Sequence, residues 1–192
     1  FFLFLFATKQ WVTPSRDQWK IITAIGFLST FLYQAFFMYG MKWTAAGDAS
    51  LMITFNPLFT AILAVPFLGE KFDKRLGLGL LSAVCGVIVI AWYSPNVDLP
   101  VNERLLGDAL IAMSALSWAC TTILMKKAMS GENALSPLHL TVWSSAVGLL
   151  IQTPAVIWEY SQVGFPLDAG IDAWAWLAFL AIFSTVLSYV WF

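Results

Sequence analysis

The residues from Asp48 to Glu70 constrain this chain more than any others: D-A-S-L-M-I-T-F-N-P-L-F-T-A-I-L-A-V-P-F-L-G-E carries no charge from 49 to 69. At about 1.5 Å per helical residue, such a run is long enough to cross a hydrocarbon core of about 30 Å. It reads as a membrane-spanning helix. Near its middle, Pro57 in the pair Asn56-Pro57 removes a backbone donor and sets its ring against the preceding turn, leaving carbonyls that need another partner. A broken, polar midpoint in an apolar helix is the first pointer to function.

The rest of the chain agrees with that reading. Hydrophobic residues make up 60% of it and charged residues 11%, against about 45–50% and about 25% in soluble domains. These proportions define an all-α, polytopic membrane helix bundle whose first partner is the lipid bilayer. The formal net charge is −1 and the ten Lys and Arg are scattered, so no basic face exists for nucleic acid. Cys85 and Cys120 fall inside apolar runs, where they act as small hydrophobes rather than a disulfide framework. Both chain ends read as cut through helices, so the expectation is part of a longer protein.

Taken in order, residues 21–41, 48–69, 76–92, 105–125, 137–158 and 173–192 read as spans, and residues 1–7 as the tail of another. The third of these is rich in glycine, and Gly79-x-x-x-Ala83 and Ser82-x-x-x-Gly86 predict close helix neighbours. Trp11, Trp19, Trp43, Trp92, Trp158 and Trp174 sit at span ends, where an amphipathic indole prefers the headgroup zone. Loops 9–20, 70–75 and 126–136 hold eight of the ten positive charges. By the positive-inside rule those loops are cytoplasmic, and a multi-pass protein of the cell membrane is expected.

The chain also resembles itself at a shift of 155 residues. Asp17 and Trp19 then meet Asp172 and Trp174, Ser29-Thr30 meets Ser184-Thr185, Leu32 meets Leu187 and Phe37 meets Phe192. The two copies are separated by an odd number of spans and therefore cross in opposite senses. That is the pattern of an inverted repeat, which places binding near the midplane between the halves.

The run Asn56-Pro57-Leu58-Phe59-Thr60-Ala61, its ending Phe67-Leu68-Gly69-Glu70-Lys71, and Leu80-Leu81-Ser82-Ala83-Val84-Cys85-Gly86-Val87 on the next span resemble the EamA family of the drug/metabolite transporter superfamily. Gly107-Asp108-Ala109-Leu110 and Ala115-Leu116-Ser117-Trp118-Ala119 look like the opening of its second repeat. The resemblance implies ten helices in two inverted repeats of five. Residues 1–93 would hold helices two to five, 94–106 an external loop, and 107–192 helices six to eight. It also implies movement of small metabolites, amino acids or drug-like solutes, often outward, by alternating access. No cofactor is implied, and oligomeric state is not legible.

Polar residues inside a span usually face a bundle interior or a cavity. Thr30 and Gln34 share one helical row beside Ser29 and Tyr33, and Ser184, Thr185, Ser188 and Tyr189 mirror them. Asn56, Thr60 and Ala64 share another row, and Thr141, Ser144, Ser145, Gly148 and Gln152 form a stripe. The cavity candidates are therefore Asn56, Pro57, Thr60, Tyr33, Gln34, Thr30, Trp118, Thr121, Ser145, Ser188 and Tyr189. Asn56 reads equally as a substrate ligand or as a repair of the proline kink, and the Ser and Thr pairs more readily as packing devices. Trp118 and Trp143 fit an aromatic wall for an apolar or cationic solute, and more readily plain core or lipid contact. His139 reads as an interfacial polar residue. Asp108 reads as a helix-start cap favoured by the dipole, and Glu70 as part of an ion-pair network with Lys71, Lys74 and Arg75.

Rival functions fare worse. The spans hold no mid-membrane carboxylate dyad, no Gly-x-Ser-x-Gly element and a single histidine, which argues against an intramembrane enzyme or a metal centre. No lysine lies mid-span for a Schiff base, and no carboxylate ring or filter loop points to a channel. A non-transporting membrane scaffold is the alternative to a secondary-type transporter of small organic solutes.

Overall fold

The computed structural model describes residues 13–93, 100–130, 134–164, 170–181 and 183. The regular elements among them are all helices: α1 (Arg16–Gly26), a π-helical segment (Phe27–Leu32), α2 (Tyr33–Met41), α3 (Ala46–Ile53), α4 (Asn56–Leu68), α5 (Lys74–Tyr93), α6 (Val101–Ala128), α7 (Pro137–Val163) and α8 (Ile171–Phe179). Four described stretches are long and apolar enough to cross a membrane: Arg16–Met41, Ala46–Leu68, Asn102–Ala128 and Pro137–Val163. The expected span before residue 13, and Ser184, Thr185, Leu187, Ser188, Tyr189 and Phe192 of the last one, lie outside the described residues.

Several helices run further than apolar content alone predicts, and two of them start at side-chain caps. Ser15 and Gln18 form a reciprocal capping box, with the Gln18 side-chain oxygen 2.7 Å from the Ser15 nitrogen. This starts α1 at Arg16, inside the stretch expected as loop. Ser136 caps α7 by accepting from the His139 N–H, and Pro137 fills the first turn, where no donor is needed. The Ser136 hydroxyl also lies 2.5 Å from His139 Nδ1, so the single histidine serves a helix start. At the other end α7 continues to Val163, through residues expected as acidic loop.

The helix running from Asp48 to Glu70 is broken, and the break precedes the proline. Thr54 and Phe55 turn back onto the Leu51 and Met52 carbonyls at 3.1 Å each, ending α3 after 8 residues. Helix α4 then starts with Pro57 in its first turn and runs for 13 residues. The displacement has a direct cause: Pro57 has no N–H for the Ile53 carbonyl and its ring collides with it, so disruption falls one turn ahead of the proline. Gly69 closes α4 at φ +69°, the left-handed geometry that glycine adopts without a Cβ penalty.

Helix α6 is the hub, packed against α1, the π segment, α2, α3 and α4. Two of its buried hydroxyls are satisfied within the helix. Ser114 donates to the Ile111 carbonyl at 2.7 Å and Thr121 to the Ser117 carbonyl at 3.0 Å. Ser117 instead reaches across to the Leu28 carbonyl at 2.9 Å. That carbonyl also receives the Tyr33 N–H, the wide-turn bond that marks the π segment.

Glycine marks the closest helix contacts. A Cβ on Gly26 would stand 2.6 Å from the Ser144 carbonyl oxygen, and one on Gly107 would stand 2.6 Å from the Trp43 carbonyl carbon. Gly148 lies against Thr30, and Gly40 against Ile111. The expectation that α5 owes its glycines to close neighbours is not met among the described residues. Nothing lies within 4 Å of a Cβ placed on Gly79 or Gly86. Small-residue spacing permits close approach, but the neighbour's position decides whether it happens.

Two buried clusters include hub residues, one at Ala128 and one at Ile111. Ile22, Ile25, Ala128, Leu135 and Leu140 join α1 to the α6–α7 turn, with Trp143 packed against them. Ala49, Met52 and Ile111 join α3 to α6, with Phe37 and Phe55 alongside.

Candidate functional site

A groove of about 460 Å³ runs along the interface of α4 and α6. Asn56, Pro57, Thr60 and Ala64 line it from α4, and Trp118, Thr122 and Lys126 from α6; Glu70, just beyond α4, lies at one end with Lys126. The row Asn56, Thr60, Ala64 expected from helical spacing therefore does share one face, and that face borders a cavity. On the opposite face of α4 a second cavity, of about 400 Å³, is lined by hydrocarbon from Phe59, Ile62, Leu80, Val84 and neighbours, with Asp108 as its charged lining residue. With so few polar groups the second cavity offers little to orient a solute.

Asn56 is the most informative residue in the groove. Its side-chain oxygen is buried and has no hydrogen-bond partner among the described residues. Thr60, one turn on, gives its hydroxyl to the Asn56 backbone carbonyl at 2.8 Å. A buried acceptor left unpaired costs about 1–3 kcal/mol, so a group that donates to it recovers that cost. Trp118 forms the wall opposite. It is held at 5.5 Å, ring centroid to centroid, against Tyr33, which in turn stacks on Phe37 at 6.0 Å. Tyr33 thus reaches the groove through Trp118.

The other expected site residues fall elsewhere. Thr30 packs against Gly148, where it serves the α1–α7 crossing. Gln34 is half-buried on α2 and Ser145 is exposed on α7; neither lines the groove. Thr121 is buried, with its hydroxyl bonded inside α6. Trp143 meets Trp19 edge to face at 5.3 Å, which makes it core.

Two features depart from the sequence reading. Asp108 does not start a helix: α6 begins at Val101, and Asp108 is buried in its second turn, where it accepts from the Thr44 hydroxyl. Asp48 and Arg104 are buried and lie within electrostatic range of it. A span starting at 105 conceals that network, because Arg104 then falls in a loop. Glu70, in turn, pairs with Lys126 at 2.6 Å, on the far side of the groove, rather than with the basic residues of its own turn. Nothing in local spacing couples residues so distant in the chain.

Several helices long and apolar enough to cross a membrane, one of them broken beside a part-polar groove, define a multi-pass membrane protein. The comparison with known sequences agrees: residues 1–92 and 105–192 match the EamA-like transporter family, and the chain belongs to that family.

It is 28% identical over 173 residues to the uncharacterised transporter YetK of Bacillus subtilis, covering 90% of this chain and 51% of that protein. An uncharacterised transporter of Archaeoglobus fulgidus is 28% identical over 182 residues, 93% of this chain and 61% of the relative. A probable amino-acid metabolite efflux pump of Escherichia coli is 27% identical over 151 residues, covering 78% and 50%. The chain thus spans about half the length of curated relatives such as these. No solved structure matches it significantly.

Proposed function

We propose that this chain is part of a secondary-type transporter that moves small organic solutes, in the outward direction, by alternating access between two inverted repeats. Residues 1–93 belong to the first repeat, 94–106 to an external connection and 107–192 to the second. The break between the two family-matched segments supports that division. The observation that carries the reading is the unpaired, buried Asn56 oxygen on a groove beside a broken helix. A discontinuous helix at a cavity is where transporters of this general kind expose groups that their own backbone has not satisfied. Trp118 supplies an apolar wall, and the solute's donor group pairs with Asn56.

The protein resides in the cell membrane, with loops 9–20, 70–75 and 126–136 on the cytoplasmic side, because those loops concentrate the positive charge. Amino-acid metabolites are the solutes to test first, since relatives from Escherichia coli and Salmonella typhimurium carry that description. The full-length protein reconstituted in liposomes should show saturable flux of at least one such solute. No flux of any amino acid, nucleoside or cationic dye, with or without a proton gradient, would overturn the reading.

A further inference from the structure

The two ends of the α6 hub are closed in different ways. At the end near residue 107, closure is by buried contact: Thr44 bonds to Asp108, Gly107 touches the Trp43–Thr44 backbone, and Gly40 lies against Ile111. At the end near residue 126, the polar contact across the groove is the ion pair between Glu70 and Lys126, 2.6 Å apart with side chains 49% and 58% exposed. An exposed pair shifts an equilibrium only a few-fold. That is too little to hold two helices together and enough to bias which of two arrangements is populated.

Both segments of the broken span lie along α6: α3 buries Ala49 and Met52 against Ile111, and α4, beyond the Thr54–Phe55 turn, buries Ala64. Gly69 then turns the chain so that its own N–H and that of Glu70 both reach the Ala64 carbonyl, which aims Glu70 from the end of α4. Lys126 stands in the last turn of α6, a favourable place for a cation. The pair joins a helix from the first family-matched segment to a helix from the second.

We propose that Glu70 and Lys126 are the gate residues of the groove. Their ion pair shuts its mouth, and when the pair parts, α4 swings from α6 about the Thr54–Phe55 turn and solute passes to Asn56. This assignment rests on the transport reading for its purpose, but its test needs no solute.

In the full-length protein, with Cys85 and Cys120 replaced by serine, Ala61→Cys places a thiol in the groove wall. Its labelling rate by a membrane-impermeant maleimide is measured in right-side-out and inverted vesicles. Glu70→Gln and Lys126→Gln should each raise that rate about three- to fivefold from the side on which a Ser130→Cys control is labelled. The charge-reversed pair Glu70→Lys with Lys126→Glu should return it to within about twofold of the parent. Raising the salt concentration should speed labelling of the parent and leave Glu70→Gln unchanged, because only the parent has a pair to screen. The salt response of the parent itself does not depend on how well any variant folds. The assignment fails if neither single change alters the rate, if the reversed pair labels as fast as the single variants, or if salt acts equally on parent and Glu70→Gln. A working gate in a protein that moves no solute would instead overturn the transport reading alone.

Discussion

At the scale of single residues, function and stability pull in opposite directions at Asn56. A buried, unpaired acceptor destabilises the empty protein, whereas an apolar side chain of similar shape does not. Asn56→Leu should therefore leave thermal stability in detergent unchanged or raised, while lowering flux of the full-length protein about tenfold or more. A loss of stability matching the loss of flux would make Asn56 a structural residue. Thr44 is the opposite case, since its hydroxyl is bonded to a buried carboxylate. Removing it in Thr44→Val strips a partner from Asp108 and should cost about 1–3 kcal/mol in unfolding free energy, read by denaturant titration. That Asn56 and Thr60 share a face was legible, because helical periodicity fixes it. That Trp118 faces them was not, because it lies on a helix whose placement no spacing rule specifies.

At the scale of elements, the broken α3–α4 span and the glycine contacts are the decisive features. Pro57→Ala restores an N–H to the Ile53 carbonyl and relieves the ring clash, so α3 and α4 should approach one continuous helix. Flux should fall by more than membrane insertion does, with insertion read by expression level and membrane fraction; unchanged flux would make the break incidental. Glycine tests the packing directly. In Gly148→Ala the new methyl overlaps the Thr30 side chain and crowds the Gly26 backbone, an overpacking worth about 1–3 kcal/mol. Gly79→Ala meets open space and should gain up to about 1 kcal/mol from helix propensity. Parallel thermal melts of the two variants should thus move in opposite directions.

At the scale of the whole molecule, charge asymmetry predicts orientation. Ser130→Cys in the basic turn and Asn102→Cys at the start of α6 are both exposed. An impermeant thiol reagent should label the first only from the cytoplasmic side and the second only from outside. Labelling of both from one side would refute the topology, because α6 could not then cross the bilayer. The same hub explains how a groove and a seal coexist: α6 meets α2 and α3 through buried small residues near one end and borders the groove towards the other.

What the sequence determined alone was the class of molecule: long uncharged runs have no other low-energy environment than a bilayer, and backbone satisfaction in lipid demands helices. It also located the break near Pro57 to within a turn, since a missing donor is a local fact. Only the tertiary structure decided which polar residues border a cavity. Asn56, Thr60 and Trp118 do so, whereas Thr30 and Thr121, equally polar and equally mid-span, are taken up by Gly148 and the α6 backbone. The reach of Glu70 to Lys126 and of Thr44 to Asp108 is of the same kind. Each joins residues far apart in the chain, and such pairs form only when helix packing has set which faces meet.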